Sequence, residues 1–143
     1  MRRISHGLRP GLLDEMGLEA ALKHLLEEFA GRTGIQLEQQ LQIDQASMPD
    51  DAAIMLYRVL QEALTNIERH ANARHVTVQL RQENHEATLA ISDDGHGFAP
   101  DHLPPGKGIG LKNMRERMEL LDGCFLLESS TECGTRIHAR LPL

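Results

Sequence analysis

An acid followed by two nearby glycines, in Asp93-Asp94-Gly95-His96-Gly97-Phe98, closes a run of alternating apolar residues. Such a stretch builds core poorly. It suits a place where a carboxylate and bare backbone come close to a ligand, because glycine lets the chain bend sharply. A second glycine cluster, Gly106-Lys107-Gly108-Ile109-Gly110-Leu111, opens a predicted helix. The free N–H groups and positive dipole end of a helix start favour an anion. Upstream, Glu62 and Asn66 stand four apart on another predicted helix, with Arg69 three further on and His70 four on from Asn66. At that spacing the four share one helical face.

These pieces together match what ATP requires. Asp93 can accept from the exocyclic amine of adenine, which tells adenine from guanine. Gly95 and Gly97 let the backbone approach the base. Gly108 and Gly110 lead into the helix start that would face the phosphates, with Lys107 and Arg69 as candidate cationic partners. The side-chain oxygen of Asn66 offers one ligand to Mg2+, an ion that takes one or two oxygens from protein and completes its octahedron with phosphate and water. Glu62, one turn earlier, is placed to orient a water or accept a proton. Each glycine cluster alone is most often a simple turn, and a polar helix face alone is most often just solvated. The nucleotide reading rests on the three occurring together. The second cluster is not a Walker A loop, since it lacks the Gly-Lys-Ser/Thr ending.

Several elements must position these residues. Leu18, Ala21, Leu22, Leu25, Leu26 and Phe29 repeat at helical spacing over residues 14–33, with Gly31 and Gly34 marking the stop. Residues 35–43 read as a strand. Residues 50–71 read as the clearest helix, with Ser47 a plausible N-cap, Pro49 near the first turn, and Leu56, Leu60, Ala63, Leu64 and Ile67 as its buried stripe. Residues 74–83 and 87–93 alternate on either side of a polar turn and predict an antiparallel hairpin that ends on Asp93. Residues 98–107 form a short loop. Residues 110–122 read as a helix ended by Gly123, and two more strands follow, over 124–130 and after Gly134. The order helix, strand, helix, strand, strand, helix, strand, strand predicts an α+β fold, a two-layer sandwich with a mixed sheet and helices on one face.

Composition narrows the function. A chain of 143 residues with 3% aromatic content is one domain with an aliphatic core. A net charge of −6 argues against general nucleic-acid binding. No apolar run reaches membrane-spanning length. Cys124 and Cys133 lie nine apart, at opposite ends of one predicted strand-and-turn unit, so no disulfide is expected.

The motifs resemble those of the ATP-binding catalytic domain of sensor histidine kinases, in the GHKL superfamily with the Bergerat fold, and are most similar to the nitrate/nitrite-sensor branch. The run from Glu62 to Ala71 resembles the N box. The stretches at 93–98 and 106–111 resemble the two glycine boxes. The ending from Gly134-Thr135-Arg136-Ile137 to Leu143 resembles the final box and strand. Leu8-Arg9-Pro10-Gly11-Leu12-Leu13 resembles the linker entering the domain. The resemblance implies that Asn66 holds Mg2+, that Glu62 lies near the γ-phosphate, and that Arg69 contacts phosphate, with His70 in the same box. It implies that Asp93 binds adenine between Gly95 and Gly97, that Gly108, Gly110 and Leu111 meet the nucleotide, and that Thr135 joins the adenine side through a water. Residues 98–107 become a short ATP lid. Asp94 stands where Asn is common, with little consequence expected.

The implied activity is that of a protein histidine kinase, transferring the γ-phosphoryl group of ATP to a histidine on a separate phosphoacceptor and dimerisation domain, and so indirectly serving a response regulator. That histidine is expected to lie on another domain, because His6 lacks the surrounding hairpin. Residues 1–13 then form the linker and 14–143 the catalytic domain. The implied setting is a cytoplasmic domain with no membrane contact of its own, of a protein either soluble or anchored in the inner membrane when complete. The isolated domain is expected to be a monomer, since the family dimerises through upstream helices. The competing readings are an ATP-dependent regulatory binding module and a GHKL serine kinase or ATPase without histidine transfer.

Overall fold

A computed structural model describes residues 11–43, 48–68, 73–95, 107–130 and 134–143, and their side chains except at 11–16, 107–112 and 129–130. Three helices and five strands follow in the expected order: α1 (Gly11–Thr33), β1 (Gln36–Gln42), α2 (Asp50–Asn66), β2 (His75–Glu83), β3 (Glu86–Asp93), α3 (Lys107–Leu120), β4 (Cys124–Ser130) and β5 (Gly134–Pro142). The sheet runs β1-β2-β3-β5-β4. β1 lies parallel to β2, and every other neighbouring pair is antiparallel. The mixed sheet and α+β class are therefore as expected.

Alternation puts one face of the sheet in the core. Val76, Val78 and Leu80 of β2, Ala87, Leu89 and Ile91 of β3, and Ile137, Ala139 and Leu141 of β5 are all buried. Each buried Val, Leu or Ile among them contributes about 1.5–3 kcal/mol when fully removed from water. The helices cover this face: α1 packs on α2, and α2 on α3, β3 and β5. Helix α2 is the centre of the layer, and its predicted stripe of Leu56, Leu60, Ala63, Leu64 and Ile67 is buried throughout. Phe29 and Tyr57 are the buried aromatic residues of an otherwise aliphatic core.

The hairpin closes as the alternation requires. Asn84 and His85 both take positive φ, 54° and 61°, between the facing residues Glu83 and Glu86. Two left-handed residues make the primed turn whose twist matches the flanking strands. The end of α1 is set by Gly34, at φ 76°, whose N–H donates to the Ala30 carbonyl at 2.8 Å. The helix runs through Gly31, so only Gly34 acts as the stop.

Several boundaries depart from the sequence reading. Helical structure begins at Gly11, inside the stretch taken as linker, and is broken at Gly17 (φ 84°, ψ 172°), a backbone shape that glycine alone adopts readily. Pro49 is the N-cap of α2, in an extended conformation with no side-chain cap; the proposed cap Ser47 lies outside the described residues. The α-helical part of α2 stops at Asn66, and residues 67 and 68 turn in π geometry. Helix α3 begins three residues early, at Lys107. It ends with Asp122 in the left-handed position at φ 61°. Gly123 is required for space, since a Cβ there would meet the Arg140 carbonyl oxygen and a Leu141 methyl at 2.6 Å each. Cys124 carries a free, exposed thiol; Cys133 lies outside the described residues. No helix among the described residues is long and apolar enough to cross a membrane.

Candidate nucleotide-binding site

Two polar side chains are buried among the described residues, Asn66 at 8% exposure and Asp93 at 7%. They come from different elements, the last turn of α2 and the last residue of β3. Those elements pack against each other. Burying a polar group costs unless it is hydrogen-bonded, so two such positions in the core call for an account.

Asp93 reaches the helix side of the sheet by register. It faces Val76 across β2 and continues the buried series of Ala87, Leu89 and Ile91. Its Oδ1 accepts from the Gly95 N–H at 2.9 Å, which fixes the carboxylate within its own turn. A carboxylate has room for further donors, so this bond leaves capacity for a ligand amine. The neighbouring strand is shaped to fit it. Gly134 opens β5 at φ 82°, and a Cβ there would sit 2.3 Å from the Asp93 carbonyl oxygen and 2.9 Å from Oδ1. Only a glycine allows this approach. Thr135, next in β5 and part-buried, follows at the same end of the sheet, since Arg136 faces Ser92.

Asn66 presents the complementary case. Its Nδ2 is buried and has no hydrogen-bond partner among the described residues. An orphaned buried donor costs about 1–3 kcal/mol and calls for a specific account. The residue stands where α2 passes into the π turn. Such turns occur often at functional sites. Arg32, in the last turn of α1, ties down that turn: its Nη2 donates to Glu68 Oε1 at 2.9 Å and its Nε bridges both carboxylate oxygens at 3.2 Å. Glu62 lies one turn before Asn66 and is part-buried. The polar face of α2 is thus not simply solvated at Asn66.

Asp94 has a larger role than its sequence suggests. Its Oδ1 accepts from the backbone N–H groups of Arg74 at 2.9 Å and His75 at 3.0 Å, and its Oδ2 lies 3.0 Å from His75 Nδ1. Its own N–H donates to the His75 carbonyl at 3.2 Å. These bonds fasten the end of β3 to the start of β2. The two backbone N–H bonds, His75 first and then Arg74, pull the Asp94 carboxyl down to about 2, and the His75 side chain adds to this. Asp94 thus holds the turn that carries Asp93 and Gly95, through backbone bonds to an acceptor oxygen that an Asn at this position also has.

The second glycine cluster is placed more sharply than expected. Lys107, Gly108 and Gly110 are not the end of a loop but the first turn of α3. The first four N–H groups of a helix have no partner inside it, and here they belong to residues 107–110. Leu111 continues the helix. Arg69, His70, Gly97 and the rest of the predicted lid up to Gly106 lie outside the described residues.

Comparison with known proteins adds to this geometry. Residues 51–143 match the family described as histidine kinase-, DNA gyrase B-, and HSP90-like ATPase. The chain is 44% identical over 148 aligned positions to the sensor histidine kinase MctS of Rhizobium johnstonii, covering 99% of this chain and 31% of that protein. It therefore spans about a third of the length of that relative. Among solved structures, the blue-light activated histidine kinase of Erythrobacter litoralis EL346 superposes with a TM-score of 0.71 at 22% identity, over 88% of this chain and 45% of that one. The mycobacterial sensor histidine kinase MprB gives 0.64 at 22% identity, over 87% of this chain and 93% of that one. Identities at that level speak for the fold alone. With the matched model running from α2 to the last strand, through Asn66, Asp93 and Gly134, the chain belongs to the histidine kinase-, DNA gyrase B- and HSP90-like ATPase family.

Proposed function

We propose that this chain is the Mg2+-dependent ATP-binding catalytic domain of a sensor histidine kinase, and that it delivers the γ-phosphoryl group to a histidine on a separate domain. The observation that carries the reading is the pair of buried polar side chains, Asn66 and Asp93, in a core that is otherwise apolar among the described residues. Asp93 accepts from the adenine amine, held in place by Gly95 and given room by Gly134. The amide of Asn66 offers its oxygen to Mg2+ and its unpartnered N–H to a phosphate oxygen or a water. Bound Mg2+ would neutralise phosphate charge. One protein oxygen suits an ion that keeps most of its shell as phosphate and water. Glu62 acts near the γ-phosphate, and the N–H groups that open α3 hold the anion. Phosphoryl transfer depends mainly on positioning and charge neutralisation, which is what these residues provide.

Arg69, His70, Lys107, Gly97, Leu111 and Thr135 complete the assignment as nucleotide contacts. Residues 1–13 are a connector to an upstream hairpin that carries the phosphoacceptor. The partners follow from this: the acceptor and dimerisation domain directly, a response regulator indirectly. The domain works in the cytoplasm.

The test mixes this chain with Mg2+, labelled ATP and a separately made acceptor hairpin. Acid-labile label on a histidine of the hairpin is the expected result. ATP binding without any transfer would contradict the kinase assignment and favour a regulatory binding module.

A further inference from the structure

The sheet has a second face, and it takes no part in the nucleotide reading. Core side chains and Asp93 point to the helix layer; the alternate residues point away from it. Two cross-strand rows at the middle of this open face are Thr77–Ser92–Arg136 and Gln79–Ala90–His138, each running from β2 through β3 to β5. These six residues, with Ile91, line a depression of about 280 Å³.

Its shape follows from the strand order. Strand β3 lies between β2 and β5 and brings the smallest side chain, Ala90, to the centre. The longer side chains of the flanking strands rise on either side, roughly 10 Å apart across two strand spacings. The floor is a methyl group and the walls are polar.

Its chemistry points one way. No carboxylate lines it. The lining supplies an Arg guanidinium with five N–H donors, two hydroxyls, an amide and an imidazole. Arg136 is the informative residue. Glu128 of β4 faces it directly in register, yet no ion pair joins them among the described residues, and Arg136 lines the depression over β3 instead. Elsewhere on the same face, Arg140 does approach a carboxylate, Glu86, at 3.9 Å. An exposed Arg–Glu pair is worth little; what distinguishes Arg136 is that it lines a hollow that holds no carboxylate. In a chain of net charge −6, a carboxylate-free hollow with an uncommitted guanidinium selects negative ligands.

We propose that this depression binds a small oxyanion, a carboxylate or phosphate group, with Arg136 as its charged anchor and the Thr77 and Ser92 hydroxyls beside it. Guanidinium matches both groups in a bidentate manner, and the volume suits a compact ligand rather than a nucleotide. The site is separate from the nucleotide site, on the opposite face of the sheet, and the two assignments stand or fall independently.

The test is an amide NMR titration of this chain with inorganic phosphate and, separately, with succinate, each against sodium chloride at matched ionic strength. The expected result is saturable shifts at Ser92, Arg136 and His138 with a Kd at or below about 1 mM, and none at Glu62 or Asn66. Saturation by only one of the two anions assigns the ligand's source. Arg136→Gln is expected to weaken binding at least about tenfold, the range of one charge-assisted contact, with ATP affinity unchanged. Ala90→Leu fills the hollow while keeping every donor and is expected to abolish saturation. Shifts that stay linear and equal those in chloride would overturn the proposal. So would a saturation curve unchanged by both variants in folded protein.

Discussion

Asp93, the last residue of β3, and Asp94, the first residue of the turn after it, are adjacent carboxylates with opposite surroundings. Asp93 goes to the helix side, is buried, and bonds within its own turn. Asp94 goes to the solvent side, stays half-exposed, and binds the backbone of two residues at the start of β2. The first position faces the ligand; the second holds the frame that presents it. The same residue type thus does two jobs, one as the last strand residue facing the core and one as the first turn residue bonded to a neighbouring strand. The division predicts that changes at Asp93 act on affinity and changes at Asp94 act on stability first.

The largest effect is expected at Asp93. Asp93→Asn removes the charge that strengthens the bond to the adenine amine, and hydrogen bonds to charged groups are worth about 1.5–3 kcal/mol. ATP affinity should fall by roughly 10- to 100-fold, with the circular dichroism and melting profile of the folded chain retained. Unchanged affinity in a calorimetric titration would remove Asp93 from the site.

Gly134→Ala comes next. It places a Cβ against the Asp93 backbone and forces a non-glycine residue to φ 82°. The conformation alone costs about 1–2 kcal/mol, and the close approach adds to it. A lower urea midpoint together with weaker ATP binding is expected, because the clash pushes on Asp93 itself. Lost stability with full affinity would separate Gly134 from the site.

Asp94→Ala should cost about 1–2 kcal/mol through its lost backbone bonds, whereas Asp94→Asn keeps an oxygen acceptor and should recover much of it. The pH dependence sharpens this. The Asp94 carboxyl titrates near 2 in the folded protein against an ordinary 3.8. Its depressed value adds stability that is fully present above about pH 4 and lost as pH falls toward 2. Because the group is half-exposed, water screens part of this effect. Urea midpoints measured between pH 5 and 2 should therefore fall slightly more steeply in the wild type than in Asp94→Asn.

Arg32→Ala should do least. The pair with Glu68 is largely exposed, and such pairs contribute about 0–1 kcal/mol. A melting shift larger than that would mean the π turn after Asn66 depends on the pair more than surface pairing accounts for.

Much of this was legible in the sequence where a periodic pattern met a buried surface. The stripe of α2 and the alternation of β2, β3 and β5 are such cases, since a one-residue slip would turn core residues to water. Asp93 was legible for the same reason, as the next buried position after Ile91. Asp94 was not: its partners are backbone groups some twenty residues earlier, and no local pattern records a side chain bonding to distant N–H groups. Gly134 read as a motif glycine, but its reason, the Asp93 backbone at contact distance, is tertiary. The break at Gly17 and the early start of α3 at Lys107 escaped because a glycine permits both helix and turn, and packing decides. The unpartnered Nδ2 amide of Asn66 also belongs to the folded state, since only burial makes an asparagine conspicuous.

The central claim is that Asn66 and Asp93 are two ends of one nucleotide site, the first serving metal and phosphate, the second the base. Calorimetric titration of ATP into the wild type, Asn66→Ala and Asp93→Asn, each with and without Mg2+, tests it most directly. Asp93→Asn should lose affinity equally in both conditions, whereas Asn66→Ala should lose most of the gain that Mg2+ confers and little of the metal-free binding. An Asn66→Ala protein that keeps the full Mg2+ effect would contradict the account.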